Sequence, residues 1–169
     1  MAIRFKSAKL RPLSRVARGV VSIKLRRDDS IVGFDIVNAS ENANLLIVTT
    51  DGYAKRTPLS EFKTQNRGGI GLICTKFKSP TSRVTTILAT VPEDEIMIVS
   101  ANGVVTRQAC SCISIQSRTA TGVTLQNLDD NDYIAAVSKI VSPQEATKKI
   151  EENKYQQKLT FETPTTEAD

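Results

Sequence analysis

The sequence predicts an all-β fold of repeated four-stranded units, arranged as blades of a propeller-like array. Two observations carry this. Arg4, Arg56 and Arg107 are spaced 52 and 51 residues apart, as are Arg15, Arg67 and Arg118, and again Gly19, Gly71 and Gly122. Self-similarity at a period near fifty residues is the mark of a propeller or solenoid. Within each period, short β-branched apolar runs alternate with turn residues, four runs to a unit, which is the content of one propeller blade.

The elements of a unit follow in order. A leading strand reads Leu45-Leu46-Ile47-Val48-Thr49-Thr50 and, one period later, Ile96-Met97-Ile98-Val99-Ser100-Ala101. Asp51-Gly52 and Asn102-Gly103 then lead into Tyr53-Ala54-Lys55-Arg56-Thr57 and Val104-Val105-Thr106-Arg107. Such pairs between strand-like runs predict tight hairpins with type I′ turns, which need positive φ at both central residues. The opening Ala2-Ile3-Arg4-Phe5 aligns with the second strand of these hairpins.

A basic turn comes next, best formed at Gln65-Asn66-Arg67-Gly68-Gly69-Ile70-Gly71 and weaker at residues 14–19 and 116–122. Third strands are predicted at 20–25, 72–77 and 123–128, and fourth strands at 30–37, 83–88 and 133–137. Residues 1–140 therefore read as about two and a half blades, in units of roughly 2–44, 45–95 and 96–140. Propellers close with about four to eight blades, so open strand edges are expected here, and these favour association or instability. From Ser142 the pattern changes. Ser142, Pro143 and Glu145 suit the N-cap, N1 and N3 positions of a short helix, and residues 160–169 read as a disordered tail.

Charge is divided unevenly along the chain. Residues 1–83 carry 16 Lys and Arg against 6 Asp and Glu, whereas residues 84–140 carry 3 against 6 and residues 141–169 carry 4 against 6. A basic excess confined to one half is what a surface that follows a phosphate backbone requires. The chain has no histidine, which removes the usual general base and the commonest metal ligand. Cys74, Cys110 and Cys112 form no CxxC pair and read as small buried hydrophobes, the last two on one face if their segment is a strand. Acidic clusters at Asp28-Asp29, Glu93-Asp94-Glu95 and Asp129-Asp130-Asn131-Asp132 read as solvated loops. Tyr53, Tyr133 and Tyr155 read as packing or surface residues. No nucleophile elbow, phosphate-binding loop or zinc constellation is present. The N-terminus lacks an apolar signal region, which points to the cytoplasm, and no apolar run is long enough to span a bilayer.

The Arg-Gly turns have two readings. The glycines can supply the positive φ or close packing of a blade corner, with incidental arginines. Alternatively, open glycine amides and an arginine lie together on the rim and are offered to phosphate oxygens. Repetition would set such groups along an arc, as bending a duplex requires. With no groove-reading helix or stacking strip, binding would be independent of base sequence.

Three stretches carry a family resemblance: IVTTDGYAKRTPLSEF (47–62) with QNRGGIG (65–71), LRPLSRVARGVVSIKL (10–25), and SRTATGVTLQNLDDNDYIAAV (117–137). They resemble the C-terminal DNA-wrapping domain of DNA gyrase A and the matching domain of topoisomerase IV. The resemblance implies a β-pinwheel whose blades exchange strands, of which this chain is similar to the last half, and a role in wrapping duplex DNA during supercoiling. It implies as partners the rest of gyrase A and the gyrase B protein, with nucleoid association. ATP and magnesium would be used by other parts of the holoenzyme and no cofactor by this chain, where the family's catalytic tyrosine and its arginine neighbour have no counterpart. The family's Q-R-R-G-G-K-G box is matched at Gln65, Arg67, Gly68, Gly69 and Gly71, whereas Asn66 and Ile70 replace basic residues. The third copy has Thr119, Ala120 and Thr121 in place of basic or glycine residues.

The expected DNA-binding set is therefore Arg15, Arg18, Lys24, Lys55, Arg56, Arg67, Gly68, Gly69 and Lys76, with Arg107 and Arg118 as weaker outliers. The competing expectation is a protein-interaction propeller whose basic half faces an acidic partner.

Overall fold

The computed structural model describes residues 1–37 and 43–140. The expected tail helix and disordered end lie outside these residues. Among the described residues, seven strands form two antiparallel sheets. Strands β1 (Asn44–Thr49), β2 (Tyr53–Pro58), β3 (Val84–Thr90) and β6 (Val123–Thr124) make a four-stranded sheet in the order β3-β1-β2-β6. Strands β4 (Glu95–Ser100), β5 (Val105–Ala109) and β7 (Ile134–Ile140) make a three-stranded sheet in the order β5-β4-β7.

The two hairpins have one register, shifted by a period. Val48 faces Ala54 in the first and Val99 faces Val105 in the second. The turns differ from the type I′ expectation, because only Gly52 (φ 78°) and Gly103 (φ 87°) have positive φ. In each turn the glycine alone takes the left-handed site, as in a type I turn closed by a glycine bulge. Asp51 accepts hydrogen bonds from Thr49 Oγ1 and from Ser82 Oγ (2.7 Å), pinning the first turn to the loop before β3.

The order β2-β6 means that each unit lends a strand to its neighbour. Val123 and Thr124 belong to the third unit yet pair with Ala54 and Tyr53 of the second. One period earlier, Ala2 and Leu72 make the same antiparallel pair, exchanging bonds of 2.8 and 2.7 Å. Gly71 and Gly122, both at positive φ, allow this approach: a Cβ would lie 2.5 Å from Ala2 O and 2.6 Å from Ala54 O. Parallel bridges from Arg4 to Thr64 and from Arg56 to Ile115 repeat the same pattern.

The third strands are accordingly much shorter than the apolar pattern suggests. Only Val123–Thr124 is a strand, and residues 72–77 and 20–25 contribute isolated bridges at Leu72 and Ile23. The expected fourth strand at 30–37 does not form. Its counterparts β3 and β7 each pair with the leading strand of their own unit, and residues 1–37 hold no leading strand for it to join. This segment passes along the outer edge of β3 instead, where Ala89 N–H donates to Asp35 Oδ2 (2.8 Å), and it leaves Phe34 and Ile36 85% and 81% exposed. The Cys110–Cys112 segment is a short 3₁₀ turn, not a strand. Cys110 is buried there and Cys112 exposed, because a 3₁₀ turn does not keep the two-residue face of a pleat.

The core is arranged around β1, which is buried throughout. Alternate residues point to opposite faces. Leu46 and Val48 pack with Ile96, Ile98, Cys110, Ile113 and Ile134 of the third unit, whereas Leu45 and Ile47 pack with Phe62 and Cys74, joined by Ala2 at the edge. Truncating a residue as enclosed as Leu46 or Ile96 to alanine would cost about 2–5 kcal/mol.

Candidate nucleic-acid interface

The strand exchange fixes where the basic residues lie. At the junction of the first and second units, Gly68 N–H donates to Ser22 O (2.8 Å) and Lys24 N–H to Gly69 O (2.8 Å). Arg67 Nη1 donates to Val21 O (3.3 Å), which steadies a guanidinium that keeps further donors for solvent or an anion. Lys9 joins from the 3₁₀ turn Ser7–Lys9, its Nζ donating to Asn66 Oδ1 (2.5 Å). Lys9, Val20, Val21, Asn66, Arg67 and Gly68 line an open cleft of about 580 Å³, with the Lys24 side chain exposed beside the same turn. Arg15 and Arg18 are exposed on the preceding turn.

The next junction has the same frame with a different filling. Lys76 N–H donates to Ala120 O (3.3 Å), and Arg118 Nη1 donates to Ile73 O (2.6 Å), matching Lys24 and Arg67 one period earlier. Here Lys55 lies beneath the turn, and its ammonium donates to the carbonyls of Ser117, Arg118 and Ala120, all at 2.7 Å. Lys55 is 1% exposed, and burial, with Arg118 adding to it, pushes its pKa down despite the opposing pull of Cys74 and Glu61. Glu61 Oε2 accepts the Arg118 amide (2.9 Å), placing an anion on the turn itself.

Two residues of the expected contact set are therefore withdrawn. Lys55 organises a turn from inside and cannot reach a phosphate. Arg56, 5% exposed, donates through Nε to Ile113 O (2.8 Å) and through Nη2 to Ser111 O (3.3 Å). Arg4 does the same at Leu59 O (2.8 Å), so this repeated arginine ties one unit to the next. Arg107, the third copy, is exposed and paired with Glu95 across β4 and β5, which raises its pKa through that hydrogen bond and charge. Gly68 also departs from expectation, because its amide already serves Ser22 O. Its positive φ (76°) makes the corner, and nothing lies within 4 Å of where a Cβ would be.

Of the others, Arg15, Arg18, Lys24 and Lys76 are exposed, Arg67 and Gly69 are half-buried, and Arg118 is held by its bond to Ile73 O. Lys9 was not among the expected residues, since its contact lies 57 positions away and has no local signal. Among the described residues there is no cluster of acidic or sulfur ligands fit for a metal ion, and no helix long and apolar enough to cross a membrane. Tyr53 is occupied by Lys78, whose Nζ bonds its hydroxyl and sits 4.6 Å from its ring centroid.

The chain matches the family described as DNA gyrase C-terminal domain, beta-propeller, over residues 1–38, 43–90 and 94–140. It belongs to that family. The DNA gyrase A protein of Staphylococcus epidermidis is 38% identical over 138 residues, covering 82% of this chain and 16% of the relative. The DNA gyrase A protein of Staphylococcus aureus gives the same figures. This gyrase C-terminal chain thus spans about a sixth of those curated relatives. Among solved structures, a DNA gyrase A C-terminal domain superposes with a TM-score of 0.71 at 32% identity, covering 81% of this chain and 46% of that one. The C-terminal domain of DNA topoisomerase IV gives 0.63 at 30% identity, covering 72% and 37%. The fold is thus that of a gyrase C-terminal domain of the beta-propeller kind.

Proposed function

We propose that this chain is a non-catalytic, duplex-binding part of a gyrase-like type II topoisomerase, holding DNA against its basic perimeter during supercoiling. The observation that carries the reading is the first junction. Lys9, Lys24 and Arg67 come together there on a strand-exchanged corner, with Arg15 and Arg18 exposed on the preceding turn and Lys76 on the following segment. Basic groups repeated at successive corners can follow a phosphate backbone. They carry no base information, so affinity should be the same for unrelated sequences. The rest of gyrase A and the gyrase B protein are the partners this reading implies, with ATP and magnesium used there.

The test is fluorescence anisotropy with two unrelated duplexes over a range of salt. The expected result is equal affinity for both and a log affinity that falls linearly with log salt, by about 0.9 per phosphate neutralised. No binding at low salt, or a flat salt dependence, would refute it. A preference for one sequence would point to a reader of bases instead.

A further inference from the structure

The first two units each carry a short 3₁₀ turn that leans on the basic turn of the unit after it. These are Ser7–Lys9 and Leu59–Glu61, one period apart, and their last residues are Lys9 and Glu61. Lys9 Nζ donates to Asn66 Oδ1 (2.5 Å) on the turn at residues 65–71. Glu61 Oε2 accepts the amide of Arg118 (2.9 Å) on the turn at residues 116–122. The frame is the same and the charge it delivers is opposite. Glu61 is held in this position by its neighbours: Leu59 and Phe62 pack with Leu45, Ile47 and Cys74, and Phe62 N–H donates to Leu59 O (3.1 Å).

The amide that Glu61 takes is one suited to an anion. Ala120 N–H donates to Ser117 O (3.2 Å), which closes a β-turn with Arg118 as its second residue. The bond that closes such a turn leaves the N–H of that residue unused. Backbone donors at turns, with a cation beside them, bind phosphate oxygens. The Arg118 guanidinium is held on Ile73 O (2.6 Å) and keeps further donors, and Lys76 is exposed on the segment bonded to Ala120 O. Among the described residues Glu61 forms no salt bridge with either cation. Its carboxylate oxygen stands on the amide, where a phosphate oxygen would otherwise stand.

We propose that Glu61 selects which corner takes a DNA phosphate: its carboxylate fills the anion position of the second turn and keeps the duplex off it. This inference rests on the reading of the chain as a duplex binder. A phosphate oxygen reaches the Arg118 amide only by displacing a tethered anion. A phosphate beside that anion meets like charge inside the screening length of about 8 Å at physiological salt. Lys55 braces the same turn from beneath, so the backbone there does not depend on Glu61. At the first turn the equivalent residue, Lys9, brings a positive charge instead.

Fluorescence anisotropy of the full 169-residue chain with one duplex over a range of salt tests this. Glu61→Gln removes the charge and keeps the shape, and Glu61→Lys supplies the residue type of the first corner. Each should bind several-fold more tightly at low salt and steepen the salt slope by about 0.9 or more, as one further phosphate contact requires. Glu93→Gln removes the same charge from the exposed loop before β4 and should leave the slope at the parent value. Arg118→Ala added to Glu61→Gln should abolish the gain. Far-ultraviolet circular dichroism confirms that each variant is folded. If the parent binds while both Glu61 variants keep its slope, or if Glu93→Gln gives the same gain, the inference alone is overturned. If neither parent nor variants bind duplex, the proposed function falls and the inference falls with it.

Discussion

The turn at residues 65–71 and its copy at residues 116–122 share a backbone frame but not an interior. Both are held by a lysine amide from the preceding unit and by an arginine on a carbonyl of that unit. Beneath the first lies Ile3, whose Cδ1 is 3.6 Å from where a Gly69 Cβ would be. Beneath the second lies Lys55, which ties three of its carbonyls from inside, while Glu61 takes the Arg118 amide. One turn thus presents cations outward beside an open cleft, and the other has turned a cation inward and accepted an anion at its surface. The same repeat can serve as a contact or as a brace, depending on one buried position.

The largest effect should come from removing that brace. Lys55→Met leaves three carbonyls without their donor and should destabilise the fold by about 3 kcal/mol in urea titration. Little change in stability would show that the two turns are equally self-supporting. Next, Gly122→Ala drives a Cβ to 2.6 Å from the Ala54 carbonyl and should cost about 2–3 kcal/mol, whereas Gly68→Ala meets no atom and should cost about 1 kcal/mol for its φ alone. Equal costs would mean that strand exchange adds no constraint at the second turn.

On binding, Arg67→Ala should lower duplex affinity several-fold on any sequence and reduce the salt slope by about 0.9. Arg118→Ala should leave the slope unchanged. A reversed order would break the comparison.

The smallest effect concerns Asp51 at the hairpin that abuts the second turn's neighbouring strand. Burial raises its pKa, but hydrogen bonds from Ser82 and Thr49 and the charge of Lys78 outweigh it, so the folded value lies below 3.8. Its contribution to stability is therefore present above pH 3.8 and is lost as pH falls through the lower folded value. Asp51→Asn should be less stable than the parent at neutral pH, with the gap narrowing in acid, as urea midpoints at each pH would record.

Much of this architecture was legible in the sequence. The period in Arg4, Arg56 and Arg107 and in the turn glycines marked the units, and Asp51-Gly52 and Asn102-Gly103 marked the hairpins. The exchange of strands was harder to place, because Leu72-Ile73-Cys74-Thr75 reads as a full strand while, of these four, Leu72 alone makes a β-bridge. Burial of Lys55 and Arg56 was not legible either. Charge says nothing of direction, and both side chains sit in β2 with donors aimed at carbonyls some 55 to 65 residues away. The repetition of Arg56 with Arg4 was the one available sign of a structural tie, since a brace between units recurs wherever units meet.

The most direct test of the contrast is hydrogen exchange of the chain with and without a duplex long enough to span successive corners. Added protection is predicted on residues 14–24 and 65–71, with residues 116–122 unchanged. Equal protection of both turns, or protection confined to 116–122, would contradict the assignment of the first turn as the contact and the second as the brace.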